Sequence, residues 1–207
     1  MEFESVFKNL GFYVDGIVCE SSDDIERLIN SVASRDYEDY NLFVCFVQSC
    51  VTKDWKIKRF AGPPLSVTEL LAKFGSWGVS RLQEEMPKIF IIQGHQTTTT
   101  LEADEPLDEK SLFKRPLFKI SSLESSLSEE LPSVKLPAFS KNFLCLFVPY
   151  RKGYISTLLS VIKLHSSSLK RRDILDTLLE AKKLFYEKNH IIIPEPIHNL
   201  MGPVYLN

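Results

Sequence analysis

The sequence lacks long apolar runs, an excess of one charge sign and any cysteine pairing pattern, and each absence removes a class of function. Its apolar stretches fall far short of the roughly 20 residues that a membrane-spanning helix requires, so no transmembrane segment is expected. The amino terminus, MEFESVFKNL, has no basic segment followed by an apolar one, and so does not read as a secretory signal. The formal net charge is -2, which exerts no global pull on nucleic acid or an anionic membrane. Two small basic clusters, Tyr150-Arg151-Lys152 and Lys170-Arg171-Arg172, are too few to argue nucleic-acid binding; the second precedes a helical pattern and reads as a solvated face. The four cysteines, Cys19, Cys45, Cys50 and Cys145, show no CxxC spacing. Cys45 and Cys145 lie within apolar runs and read as small core residues, which fits a reducing, cytoplasmic setting. No internal repeat is visible.

What is present is an ordinary globular composition. The chain has 207 residues, 44% hydrophobic and 25% charged, enough for one domain of usual size. Strand-like and helix-like patterns alternate. GFYVDGIVC (11–19) alternates like a strand. SSDDIERLINSV starts a helix that Ser21 or Ser22 can cap, with Ile25, Leu28, Ile29 and Val32 on one face. NLFVCFVQS (41–49) reads as a buried strand. SVTELLAKFG carries a capping-box pattern, Ser66 with Glu69, and an apolar stripe of Val67, Leu70, Leu71 and Phe74. KIFIIQ (88–93) is a second buried strand. From 97 to 141 the chain is rich in Ser, Glu, Leu and Pro and reads as a mobile linker. NFLCLFVP (142–149) is a further strand and Ser156 to Leu164 a mostly apolar helix. Arg171 to Asn189 is a longer helix with Ile174, Leu175, Leu178, Leu179, Leu184 and Phe185 inward. HIIIPEPIHNLMGPVYLN closes the chain as short strands broken by prolines. This alternation predicts an α/β sandwich around a mostly parallel sheet flanked by helices.

The stretch KIFIIQGHQT carries the strongest functional hint. A compact apolar run ends in a polar tip bearing His95, and a strand emerging from a core is a common place for a working residue. His165, His190 and His198 stand alone and read as structural or exposed.

These pieces, in this order, resemble the caspase catalytic domain over most of the chain. FKNLGFYVDGIVCESSDDIERLINSV resembles the first helix end, second strand and second helix of a caspase large subunit. NLFVCFVQSCV resembles the strand that ends in Ser-His-Gly, and PKIFIIQGHQT the strand that ends in Gln-Ala-Cys-Arg-Gly. NFLCLFVPYRKGYIS resembles the first small-subunit strand with its Gly-Tyr-x-Ser turn, and IPEPIHNL the terminal strand that pairs two caspase domains. The resemblance divides the chain into a large-subunit-like part (1–96) without the family's first strand, an intersubunit linker (97–141) and a small-subunit-like part (142–207).

The resemblance implies a lost active site. It places His95 at the position of the attacking cysteine, Cys50 at that of the histidine, and Val51 where the oxyanion-hole glycine belongs. Of the three residues that clamp a substrate aspartate, only the glutamine is matched, by Gln93. One arginine falls ahead of the first residue, and the segment carrying the other is missing, because Gly153, Tyr154, Ile155 and Ser156 lead directly into a helix. The expected function is that of a non-catalytic caspase homologue, a pseudocaspase, which modulates apoptosis by binding an active caspase. The implied interface is Ile193, Pro194, Pro196, Ile197, Leu200, Met201, Val204 and Tyr205. Pro196 removes an N–H from the strand, a loss borne twice in a homodimer and once in a heterodimer, so a heterodimer is favoured. Asp104 and Asp108 are candidate cleavage points in the linker. Alternatives remain at this level, one of them a plain structural fragment whose sheet is left without its first strand. Cys50 and His95 could form a swapped dyad in an active cysteine protease, or could share a metal. The second is short of a third ligand, so no metal or cofactor is expected.

Overall fold

The computed structural model describes residues 2–17, 22–52, 54–59, 63–75, 85–96, 141–150, 153–166 and 172–206. Cys19, Asp104, Asp108 and residues 97–140 of the expected linker lie outside the described residues.

Long apolar runs make the strands. β1 (Phe43–Val51), β2 (Lys88–Gln96) and β3 (Phe143–Pro149) lie side by side and parallel, and β4 (Ile197–His198) adds antiparallel to β3. Helices cover both faces, as parallel sheets require. α1 (Glu2–Asn9), α4 (Tyr154–Ser166) and α5 (Ile174–Asn189) pack on one face, through Val6, Phe7, Leu158, Ile162, Ile174, Leu178 and Phe185 against Ile89, Ile91, Leu144 and Leu146. α2 (Ser22–Ala33) and α3 (Val67–Ala72) pack on the other, against Phe90, Ile92, Phe143, Cys145 and Phe147. Side chains alternate across each strand, so odd positions of β1 and β3 and even positions of β2 meet the α2/α3 layer, and the rest meet the α1/α4/α5 layer.

The capping box is realised. Glu69 N–H donates to Ser66 Oγ at 3.1 Å and Ser66 N–H donates to Glu69 Oε2 at 2.9 Å. The bond that the carboxyl accepts from the Ser66 backbone N–H, and after it the Ser66 hydroxyl, hold Glu69 below the usual carboxylate range.

Three sequence expectations change. Residues 12–17 are extended, with Phe12 and Val14 inward and Tyr13 and Asp15 outward, but they form no strand. Alternation sets the faces; it cannot supply a neighbouring backbone to pair with, and Gly11 (φ +83°) turns the chain just before it. In α5, Leu179 and Leu184 point outward at 61% and 43% exposure, while Thr177 and Ala181 are buried. The stripe 174/177/178/181/185 follows helical spacing, and small residues let α5 approach α4. The carboxyl-terminal segment joins the sheet only over Ile197–His198; beyond it Tyr205 bridges to Asp173, Ile174 N–H donates to Val204 O at 2.8 Å and Val204 N–H donates to Asp173 Oδ1 at 2.9 Å, and asparagines fasten the stretch around β4. Phe143 N–H donates to Asn199 Oδ1 at 2.7 Å, and Met201 N–H donates to Asn142 Oδ1 at 2.8 Å.

His165 is structural. It is buried between α4 and α5, with Nδ1 3.0 Å from Thr177 Oγ1 and Nε2 3.0 Å from Glu180 Oε2, which also accepts from Arg172. His190 caps α5 in the left-handed conformation, and His198 is exposed on β4.

Candidate functional site

The site is built at the carboxyl-terminal tips of β1 and β2. Register places Cys50 directly beside His95. Directly opposed residues of parallel strands point to the same face, about 4.8 Å apart along the hydrogen-bonding direction. By the alternation of their strands that face is the α1/α4/α5 face, and both side chains stand exposed beyond its apolar layer. Among the described residues no hydrogen bond joins the Cys50 thiol to the His95 ring. The imidazole packs edge-on against Tyr150 instead, ring centres 5.1 Å apart, and Tyr150 N–H donates to Gly94 O at 2.8 Å. The carbonyl of Cys50 accepts from Lys58 N–H at 2.9 Å and from Ser49 Oγ at 3.3 Å.

Gln93 lies on the same face as His95, two residues earlier, and is 7% exposed. Val51 and Gly94 belong to the opposite face. The Val51 side chain is fully buried in the α2/α3 core, and Val51 pairs in a bridge with Ile57. Trp55 closes over this spot. It sits in a left-handed turn (φ +57°), an uncommon conformation for a bulky residue, with its N–H donating to Thr52 O at 3.0 Å and its ring edge-on to Phe147 at 5.2 Å. A Cβ on Gly94 would lie 2.6 Å from Val51 Cγ2 and 2.8 Å from Trp55 Cζ3. The backbone of Gly94 is therefore sealed on one side by Val51 and Trp55, a closure that no pattern in the sequence announced.

After β3 the chain reaches Gly153 (φ +103°) and enters α4 at Tyr154 at once, leaving no room for an intervening segment. Among the described residues no three His, Cys, Asp or Glu side chains group as metal ligands, and no helix is long and apolar enough to cross a membrane. Burial pushes the Cys45 thiol up to about 12 and raises Cys145 further, which leaves both inert beside exposed Cys50.

The proposed interface residues divide. Ile193 and Val204 are 1% and 6% exposed, spent inside the chain's own core. Pro194, Pro196, Ile197 and Leu200 are partly buried, while Met201 and Tyr205 are 74% and 41% exposed. Asn199 N–H points inward to Phe143 O at 2.9 Å, so by alternation Ile197 also faces β3, and Pro196 and His198 face the open edge. The donor that proline lacks is thus missing from the edge itself.

No family model matches the chain, and no curated protein matches it in sequence. Among solved structures it is similar to a chain described as pro-sf-caspase-1, with a TM-score of 0.69 and 19% identity, over 99% of this chain and 79% of that one. At that identity the likeness establishes the fold: a caspase-like, mostly parallel sheet flanked by helices.

Proposed function

We propose that this protein is a non-catalytic caspase homologue that binds an active caspase in the cytoplasm and regulates its proteolysis in apoptosis. One observation carries the reading. The two positions that would hold the reacting pair contain Cys50 and His95, exchanged in type, side by side and unbonded, next to a Gly94 backbone sealed by Val51 and Trp55. Acyl transfer needs an aligned nucleophile and base, and donors aimed at the developing oxyanion. Here the thiol and imidazole are not bonded to each other, and the backbone beside them is closed on one side by Val51 and Trp55. A scaffold of this kind acts on proteolysis by contact.

The contact surface supporting the reading is the edge at β4, with Met201 and Tyr205 exposed beside it. The N–H missing at Pro196 faces that edge, so a symmetric pair carries the gap twice and a heterodimer once. Each lost backbone bond costs about 0.5–1.5 kcal/mol. Co-expression with active caspases tests this: size-exclusion reports the complex, and cleavage of an aspartyl peptide reports whether the partner is activated or suppressed. Failure to co-elute with, or change the rate of, any caspase tried would remove the proposal.

A second reading has the Cys50–His95 register in its favour: the pair as a swapped dyad in an active cysteine protease. Its signature is peptide hydrolysis by the isolated chain that Cys50→Ser abolishes.

A further inference from the structure

Among the described residues nothing pairs with the sheet edge opposite β4 along Val44 to Gln48, and we infer that this edge takes an extended segment of a partner polypeptide as an added strand beside β1. This does not rest on the proposed function, which uses the β4 edge.

The backbone directions fix which groups are free. Phe43 N–H donates to Pro87 O at 3.0 Å, on the β2 side. In a parallel ladder successive residues alternate sides, so Cys45, Val47 and Ser49 also address β2, whereas Val44, Phe46, Gln48 and Cys50 address the outer edge. Lys58 N–H, donating to Cys50 O, confirms the phase. The turn that follows β1 thus covers the edge at Cys50, through its bridge of Val51 with Ile57. Among the described residues no backbone or side-chain group pairs with the outward N–H or C=O of Val44, Phe46 or Gln48.

Burial shows the same gap. Ile89 to Ile92 of β2 and Phe143 to Val148 of β3 are at most 2% exposed, while Phe43, Val44, Cys45, Phe46 and Val47 of β1 are only partly buried. Free edges are normally protected by charge, proline or a bulge. The run FVCFVQS (43–49) contains no charged residue, proline or glycine. Such an edge is suited to being covered.

The surroundings favour a single strand over a second copy. Phe3 of α1 stacks on Phe46 at 4.7 Å on one face, and Tyr37 packs edge-on to Phe43 at 5.6 Å on the other. An isolated segment can lie between these layers. A second β1 would arrive with its own Phe3 and Tyr37 layers on both faces. The occupant is apolar on both sides, to meet Val44 and Phe46 on one and Phe43, Cys45 and Val47 on the other, and uncharged through its middle. Backbone pairing supplies affinity and these side chains supply selection.

Amide exchange followed by NMR tests the inference on the intact chain. The probe is a capped peptide of alternating Val and Leu, flanked by lysines, together with two versions N-methylated at one or the other alternate set of residues. In the free monomer the amides of Val44, Phe46 and Gln48 should exchange rapidly. The unmodified peptide should slow them tenfold or more, and one N-methylated version should lose that effect while the other keeps it. Three results would overturn the inference. The peptide could leave all three amides unchanged at millimolar concentration. Both N-methylated versions could behave alike. The three amides could already be slow without peptide, in a monomer closed by its own chain or in a dimer closed by a second copy.

Discussion

Replacing Gly94 with alanine probes the sealed side of the site. The added Cβ would meet Val51 Cγ2 at 2.6 Å, Trp55 Cζ3 at 2.8 Å and Val51 Cγ1 at 3.1 Å. Contacts this short require the neighbours to shift, and both are immobilised: Val51 is fully buried and Trp55 is 5% exposed. Overpacking of this kind costs about 1–3 kcal/mol. Gly94 does not occupy the left-handed region, so alanine also restricts the unfolded chain and returns about 0.4–1 kcal/mol. The net expectation is a loss of about 1–2 kcal/mol, which for a chain of this size lowers Tm by roughly 2–8 °C. Val51→Ala alone removes two buried methyl groups, about 1.6 kcal/mol at 0.8 per carbon, plus a cavity term. In the double variant the new methyl enters the vacated space, so the combined loss should fall short of the sum by about 1 kcal/mol or more. Trp55 still presses on the position, which keeps the rescue partial. Urea titrations of the four proteins measure the cycle. A neutral or stabilising Gly94→Ala, or strict additivity with Val51→Ala, would refute the closed geometry.

Other expectations follow from the same structure. Ser66→Ala should destabilise by about 1 kcal/mol through loss of the α3 cap, read by thermal melting. Because the folded state depresses Glu69, its contribution is complete above about pH 4.5 and is lost as the pH falls through the lower folded value; Glu69→Gln should flatten that part of the stability profile. In a Cys19→Ser background, a thiol reagent at neutral pH should label Cys50 in the folded protein and Cys145 only in denaturant; labelling of Cys145 in the native state would contradict its burial. Pro196→Ala restores an edge N–H and should tighten self-association by roughly tenfold or more, measured by sedimentation equilibrium; no change would mean that this edge does not pair.

Strands were legible where the sequence is continuously apolar. IFII and FLCLFV have no soluble alternative, and the structure buries both completely. The Ser66–Glu69 cap was equally readable, since its partners lie three residues apart. Features that depend on distant backbone were not. Residues 12–17 alternate as a strand does, yet no ladder reaches them. Helical phase in α5 is not legible at Leu179 and Leu184, because hydrophobicity alone does not say which stripe meets α4. At the site, the adjacency of Cys50 and His95 followed from aligning two strands on a familiar pattern. The contact of Trp55 with Gly94 did not, because it depends on a left-handed turn and on a ring arriving from four residues beyond β1.

Incubation of the purified chain with an aspartyl peptide, alone and then with an active caspase, measures the central claim most directly. The account predicts no hydrolysis by the chain alone and a changed rate, up or down, when the caspase is present. Hydrolysis by the chain alone, abolished by Cys50→Ser, would contradict it.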